Sequence, residues 1–218
     1  MGGMIGMSWT LGGEEGAGKH AAGSGAGRRI LVFCASSGSC DPIYHDAAAE
    51  LGRAIANAGD CVVYGGGAVG SMGALADAAL AGGASVVGVI PRFMRELEWA
   101  HSGLTQLQLV DDMHERKREM LRRAEAIVAL PGGSGTFEEL FEAITQKRLG
   151  LFTKPIIIFN QNGFYDSLFT LLEHSVEQRF MNEKHLEIWR SVDRVHDILP
   201  AIHETGDWPA DAIRFATR

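Results

Sequence analysis

The sequence has few cysteines and no long apolar run, and both shortages restrict what the chain can be. Its 218 residues include three cysteines, which form no CxxC pair and no Cys/His cluster at zinc spacing. Free thiols are the simplest interpretation; a redox or metal role for Cys34 and Cys40, close in sequence, is the alternative. No apolar segment approaches the ~20 residues that span a bilayer, and the N-terminus lacks the basic segment followed by an apolar segment that is typical of a signal peptide. We expect a cytoplasmic protein without a membrane partner.

Basic residues are also in the minority. The 20 Lys and Arg residues against 27 Asp and Glu give a formal net charge of -7. This balance disfavours nucleic acid or an anionic membrane as partner, because both require a basic surface. A small anionic ligand remains compatible with this net charge, since a few hydrogen-bond donors at the site outweigh the field of the whole protein. The length suits one domain.

The first 27 residues differ from the rest. They are rich in Gly and Ala without periodicity, and such a segment buries too little apolar surface to offset its ordering entropy. We therefore predict a disordered tail over 1–27 and a folded domain over 28–218. The letters at Gly16 to Lys19 are not a P-loop, because no strand precedes them and His20 follows the lysine.

From Arg28 onward, short apolar runs alternate with segments of helical period. The runs predict strands at 30–36, 61–67, 84–91, 104–110, 126–133 and 154–160. Helices are predicted at 41–59, 71–83, 111–124, 134–150 and 163–180, with a last strand and helix within 191–204. This alternation predicts an α/β fold, a Rossmann-like doubly wound parallel sheet with helices on both faces in a single domain.

Three glycine-rich loops, 34–39, 65–73 and 131–136, each follow a strand and precede a helix. Ligands of open parallel sheets bind beyond the carboxyl ends of the strands, where glycine permits close approach and helix N-termini offer N–H groups. Convergence of the three predicts a ligand that carries phosphate. The second loop fits GxGxxG by its letters, but no acidic residue ends a strand about 20 residues later, which argues against a dinucleotide site.

Two motifs point to a family. The segments PGGSGTFEE (131–139) and MHERK (113–117) resemble the hallmark PGGxGTxxE and upstream MHxRK of the LOG (Lonely Guy) family, long described as lysine decarboxylase-like. CASSG and YGGG resemble its bacterial branch, and the likeness runs from Arg28 to the end. Members are cytokinin riboside 5'-monophosphate phosphoribohydrolases. The resemblance implies hydrolysis of the bond between a purine base, a cytokinin or adenine, and ribose 5'-phosphate, by a homodimer with no metal and no organic cofactor.

The resemblance implies that Glu139 and Arg116 are catalytic. Each has a competing interpretation. Thr136 and Glu139 have the spacing of a capping box, and the charged helix 111–123 could be a solvated face with pairs such as Asp112 with Arg116 and Glu119 with Arg123. Glu138 is rotated by ~100° from its neighbour and is the poorer candidate.

The remaining candidates are substrate contacts. The resemblance implies Lys117, Glu98 and Thr145, against a solvated or helix-end charge for the first two and a hydroxyl bonded to its own backbone for the third. His114 is a weaker candidate for a general acid. Loop contacts are expected from Ser37, Gly66 and Gly67, and 5'-phosphate contacts from Gly132, Gly133, Ser134, Gly135 and Thr136. The aromatic side chains are expected in the core or an interface, not stacked on a base: Trp99, Trp189, Phe164, Phe169 and Phe180.

Two other functions fit less well. A pyridoxal phosphate decarboxylase needs a lysine for its Schiff base, and the only lysine in the motifs is Lys117 in a charged helix. A carrier of a nucleotide or of a phosphate-bearing cofactor fits the glycine loops equally well. The pairing of Arg116 with Glu139, which binding alone would not demand, favours an enzyme. We expect these two groups on opposite sides of one sugar-sized cleft.

Overall fold

The computed structural model of the chain describes residues 27–97 and 99–216. Residues 1–26 of the predicted tail, Glu98, and residues 217 and 218 lie outside this part of the chain. The described residues contain one sheet of seven strands in the order β4-β3-β2-β1-β5-β6-β7, and every neighbouring pair in it is parallel. The predicted fold class is therefore confirmed.

The elements follow the predicted alternation. The strands are β1 (Arg29–Phe33), β2 (Cys61–Tyr64), β3 (Val86–Pro91), β4 (Gln106–Val110), β5 (Ala126–Ala129), β6 (Ile156–Phe159) and β7 (Arg190–Val192). The α-helices are α1 (Pro42–Asn57), α2 (Gly70–Ala81), α3 (Arg92–Glu96), α4 (Met113–Arg123), α5 (Ser134–Arg148), α6 (Asp166–Glu177), α7 (Ile198–Glu204) and α8 (Ile213–Ala216). Neither α3 nor α8 is predicted from the sequence, because each is too short to show a period.

Helix α1 shows how local chemistry fixes these bounds. The Asp41 carboxylate accepts a hydrogen bond of 3.0 Å from the Ile43 N–H, and Pro42, which has no N–H to satisfy, occupies the first turn. The helix ends at Asn57, and Gly59 follows with a φ of 73°. Cap, first-turn proline and terminal glycine are all as predicted.

The sheet divides two hydrophobic cores. Ile30 and Val32 of β1 face the core formed with α1, α2 and α7. Leu31 and Phe33, with the alternate orientation, face the core formed with α4, α5 and α6. Because both faces are covered, the central strands are apolar throughout, whereas the edge strand β4 is only half-buried. Among the residues described, none of the helices combines the length and apolar character needed to cross a membrane.

The order of the strands reverses at β1, which has β2 on one side and β5 on the other. The chain leaves both β1 and β5 through a glycine-rich loop, 34–39 and 131–136. At such a switch point adjacent loops turn to opposite faces of the sheet and leave a crevice at the carboxyl edge. The topology therefore places the loop 131–136, which begins the PGGSGTFEE motif, beside the loop 34–39.

Candidate active site

A buried ion pair joins α4 to α5 near this edge. The Arg116 Nη1 donates to Glu139 Oε1 over 2.7 Å, and the two residues are each only 5% exposed. The alternative of a solvated face is therefore wrong for Arg116. Asp112 serves as the N-cap of α4 instead, accepting from the Glu115 N–H at 2.7 Å.

Besides Glu139 in α5, two backbone carbonyls hold the Arg116 guanidinium. Its Nε donates to the Val89 carbonyl in β3 over 3.1 Å, and its Nη2 lies 3.5 Å from the Gly65 carbonyl at the end of β2. The guanidinium lies close against the second loop: a Cβ at Gly65 would lie 2.1 Å from Nη2, so a larger residue there would displace it. Gly65 is thus a site residue that the sequence analysis passed over in favour of its neighbours.

Glu139 lies in the second turn of α5 and does not cap it. The N-cap is Gly133, without a side-chain hydrogen bond, so the capping-box interpretation is wrong. Burial raises the pKa of the Glu139 carboxyl, and the adjacent Arg116 charge opposes this shift. Leaving either charge without its partner here would cost about 3–5 kcal/mol.

A cavity of about 310 Å³ opens beside Arg116 at the carboxyl ends of β2 and β3. Apolar groups dominate its lining, among them Val69, Met72, Met94 and Trp99. Trp99 is 53% exposed, so of the two positions expected for it, core or interface, the core is wrong. The cavity offers an apolar wall at one end and a fixed cation at the other.

The second glycine loop supports Trp99 directly. The Ala68 N–H donates to the Trp99 carbonyl over 3.2 Å, and the His101 N–H to the Gly66 carbonyl over 2.9 Å. Gly66 has a φ of 80°, a conformation that a side chain would strain. Gly67 lines the cavity, so two predicted loop contacts lie at this site.

The predicted phosphate turn begins α5 one turn before Glu139. Gly133, Ser134 and Gly135 are exposed, whereas Thr136 is buried, and a Cβ at Gly132 would lie 2.2 Å from its hydroxyl oxygen. The first N–H groups of a helix have no partner within it and favour an anion. Thr136 and Glu139 are three residues apart, so they share a face of the helix about 4.5 Å apart along its axis.

The Lys117 side chain contacts a different pair of carboxylates from the one that Arg116 contacts. Its ammonium group binds Glu142 at 2.6 Å and also Glu138. Burial opposes ionisation of Lys117, but the hydrogen bonds to these two carboxylates prevail and raise its pKa. A protonated, doubly paired ammonium is a poor Schiff-base nucleophile, which argues against the decarboxylase hypothesis.

Three other predicted site residues are exposed, unlike the ion pair. Ser37 is exposed in the first loop, and Thr145 is exposed on α5 six residues beyond Glu139, ~240° around the helix. His114 is exposed at the start of α4. The predicted contact Glu98 lies outside the described residues. Of the two expected ion pairs of α4, the one between Glu119 and Arg123 is present at 3.7 Å.

The geometry corrects one expectation about the catalytic pair. Arg116 and Glu139 do not face each other across an open cleft; their side chains are in direct contact. The attraction of opposite charges in a buried setting is strong enough to close such a gap. Within the residues described, no three or more His, Cys, Asp or Glu side chains are grouped closely enough to hold a metal ion.

Fold and site together define a Rossmann-type α/β protein with a ligand crevice at the carboxyl edge of its sheet. The family model described as "Possible lysine decarboxylase" matches residues 72–202. The cytokinin riboside 5'-monophosphate phosphoribohydrolase LOG2 of Arabidopsis thaliana is 42% identical over 81% of this chain and 83% of its own. The probable phosphoribohydrolase LOGL1 of Oryza sativa is 41% identical over 78% of this chain and 77% of its own. The chain belongs to the LOG family.

Solved structures extend the likeness of fold. The protein TM1055 superposes with a TM-score of 0.65 at 23% identity, over 82% of this chain and 99% of that one. The molybdenum cofactor carrier protein of Chlamydomonas reinhardtii reaches a TM-score of 0.63 at 19% identity, over 82% and 97% of the chains. At these identities the likeness concerns the fold alone.

Proposed function

We propose that the chain hydrolyses the N-glycosidic bond of a purine nucleoside 5'-monophosphate, releasing a cytokinin or adenine and ribose 5-phosphate. One observation carries the proposal: in the buried pair of Arg116 and Glu139, Arg116 lines a cavity suited to a base, and Glu139 lies about one turn beyond a helix N-terminus suited to a phosphate. The names of relatives about 40% identical to the chain support the same reaction.

In the proposed mechanism, positive charge develops on the ribose as the bond to the base lengthens. The Glu139 carboxylate stabilises this charge and orients the attacking water, as carboxylates do in glycoside hydrolysis. The departing base takes up a proton, and water adds to C1'. Arg116 favours the ionised form of Glu139 against the effect of burial and keeps the carboxylate in place through their 2.7 Å hydrogen bond, and it lines the wall that the substrate faces.

The substrate orientation follows from the two ends of the site. We place the base against Val69, Met72 and Trp99, whose apolar surfaces also suit a prenyl group. The 5'-phosphate is placed at the start of α5, with Gly132, Gly133, Ser134, Gly135 and Thr136. The length of the helical turn that separates the start of α5 from Glu139 is comparable with the distance from the 5'-phosphate to C1' of a ribose. Ser37, Gly66 and Gly67 complete the rim.

The decisive experiment measures base release from AMP and from prenylated AMP by Glu139→Gln. We expect a loss of about 10²-fold or more, because a neutral amide cannot stabilise the developing cation. Glu138→Gln is the matched control: the adjacent glutamate binds Lys117 and does not contact Arg116, so its variant should remain close to wild type. Undiminished turnover by Glu139→Gln would refute the assigned role.

A carrier is the second candidate, and the fold shared with the molybdenum cofactor carriers favours it. It predicts that wild-type protein binds AMP tightly and that no free base appears on long incubation. Separating base from nucleotide after incubation therefore distinguishes the two functions in one assay.

We further propose a cytoplasmic homodimer. Its compartment is supported by three cysteines that are all free thiols. Its interface is placed on α5, where Phe137 and Phe141, 37% and 39% exposed, lie one turn apart, with Thr145 one turn further. Thr145 would then approach the substrate only from the partner copy.

A further inference from the structure

The segment 99–103, which carries Trp99, borders two different cavities. Trp99 lines the cavity of about 310 Å³ beside Arg116, whereas Ala100 and His101 line a second cavity of about 410 Å³. Trp99 itself is 53% exposed. Because so much of the segment borders open space, side-chain packing contributes little to its position. Its hydrogen bonds must therefore keep Trp99 in place.

The His101 imidazole connects this segment to helix α2. Its Nε2 lies 2.9 Å from the Asp77 Oδ1, and its Nδ1 accepts from the Gly103 N–H over 3.0 Å. A backbone N–H can only donate, so Nδ1 is the acceptor and the Nε2–H donates to the carboxylate. The side chain of His101 is 12% exposed. With both ring nitrogens bonded, the imidazole has a fixed orientation between its own segment and α2.

Helix α2 also supplies part of the wall of the first cavity. Met72 lies in its first turn, Val69 is its N-cap residue, and both line that cavity. Asp77 lies further along the same helix. The hydrogen bond between His101 and Asp77 therefore fixes the segment 99–103 relative to the other apolar side chains around the proposed base.

We propose that His101 is a positioning residue that, through its bond to Asp77, holds Trp99 against the base of a bound nucleotide. The inference rests on the proposed function for the place of the base beside Trp99. His101 lines the second cavity and not the first, so it acts through the Trp99 side chain. Holding that side chain in place before the ligand arrives spares the complex the entropy cost of ordering it.

The first measurement is the affinity for two ligands by titration calorimetry, which requires no catalysis. His101→Ala should raise the Kd of AMP about 5-fold, the effect of losing one hydrogen bond that fixes a contact. The Kd of ribose 5-phosphate should change by less than about 2-fold, because this ligand has no base to contact Trp99. An unchanged Kd of AMP, or equal losses for the two ligands, would overturn the proposal.

Variants of Asp77 test the same bond from its exposed partner, whose side chain is 73% exposed. Asp77→Ala removes the acceptor and should reproduce the loss of His101→Ala even if the latter folds poorly. Asp77→Asn should restore the affinity, because its carboxamide oxygen accepts from the same Nε2–H. His174→Ala is the matched control: it removes another histidine–carboxylate pair, 3.2 Å from Glu177 on α6, and should leave both Kd values unchanged. An Asp77→Ala variant that binds AMP like wild type would contradict the assigned bond.

A double-mutant cycle tests whether His101 acts through Trp99. Trp99→Ala should itself weaken AMP binding. Adding His101→Ala to that variant should change the Kd by less than about 2-fold, because the side chain that the imidazole positions is already absent. Two effects that multiply would show that His101 acts by another route, and would overturn the proposal.

Base release from AMP gives a readout that depends on the proposed function. His101→Ala should raise KM about 5-fold and leave kcat nearly unchanged, because a wall that contacts the base equally before and during cleavage contributes uniform binding. A lower kcat at unchanged KM would indicate a general structural defect and count against the positioning role. An inactive wild type whose AMP binding still weakens in His101→Ala would refute the hydrolase and leave the positioning role standing.

Discussion

Replacing Gly65 by alanine tests the geometry of the ion pair without touching either charged residue. The new Cβ would lie 2.1 Å from the Arg116 Nη2, where ordinary van der Waals contact begins near 3.4 Å. The guanidinium must therefore retreat by roughly 1 Å, and a displacement of that size at a catalytic group costs about 10²-fold in rate. The φ of Gly65 is not positive, so the variant adds a contact and no backbone strain.

The assay is base release from AMP, with kcat/KM compared between wild type and Gly65→Ala. We expect a loss of about 10²-fold, equivalent to about 2.7 kcal/mol of transition-state stabilisation. Gly206→Ala is the matched control, because a Cβ there meets nothing within 4 Å and lies outside the site. Urea unfolding would verify that both variants fold. A folded Gly65→Ala with kcat/KM equal to that of wild type would refute the assigned contact between this turn and Arg116.

Three further variants test other parts of the structure. Gly135→Ala places a methyl group in open space at the start of α5, where the 5'-phosphate is proposed to bind. It should stabilise the helix by about 0.5–1 kcal/mol, yet raise KM for AMP about 10-fold because the methyl group would crowd the phosphate. An unchanged KM would contradict the phosphate placement. Burial lowers the pKa of Lys147 from 10.5 to about 8. The unfolded chain therefore keeps a proton that the folded chain has lost, and the free energy of unfolding should rise between these pH values in wild type but less in Lys147→Met. Phe141→Glu should convert the proposed dimer to a monomer in light scattering, and a dimer that persisted would place the interface elsewhere.

Much of the fold is predictable because its signals are local. The apolar run containing Ile30 to Phe33 and the cap and proline of α1 depend only on neighbours in sequence, and all appear as expected. The motif around Glu139 likewise identifies an acidic residue near the sheet edge. The contact of that residue with Arg116 depends on how α4 and α5 pack. The separation of the two residues along the sequence does not determine the distance between their side chains.

The wall of the cavity could not be predicted for the same reason. Trp99 has its position because its segment pairs with the glycine loop, with Gly67 and Ala100 bridged in antiparallel fashion. A single bridge between two loops has no periodic sequence pattern from which it could be predicted. Lys117 shows a related limit: next to Arg116 in sequence, it lies ~100° around the helix and meets a different set of carboxylates.

The two charged groups of the ion pair are separated by 23 positions along the chain, with only β5 between their helices. The proposed chemistry is thus confined to one compact helix–strand–helix segment, while the amino-terminal half supplies mainly the walls that receive a ligand. A change in that segment therefore acts on the charged pair itself, whereas a change in the amino-terminal half acts on it only through contacts such as that of the Gly65 carbonyl with Arg116.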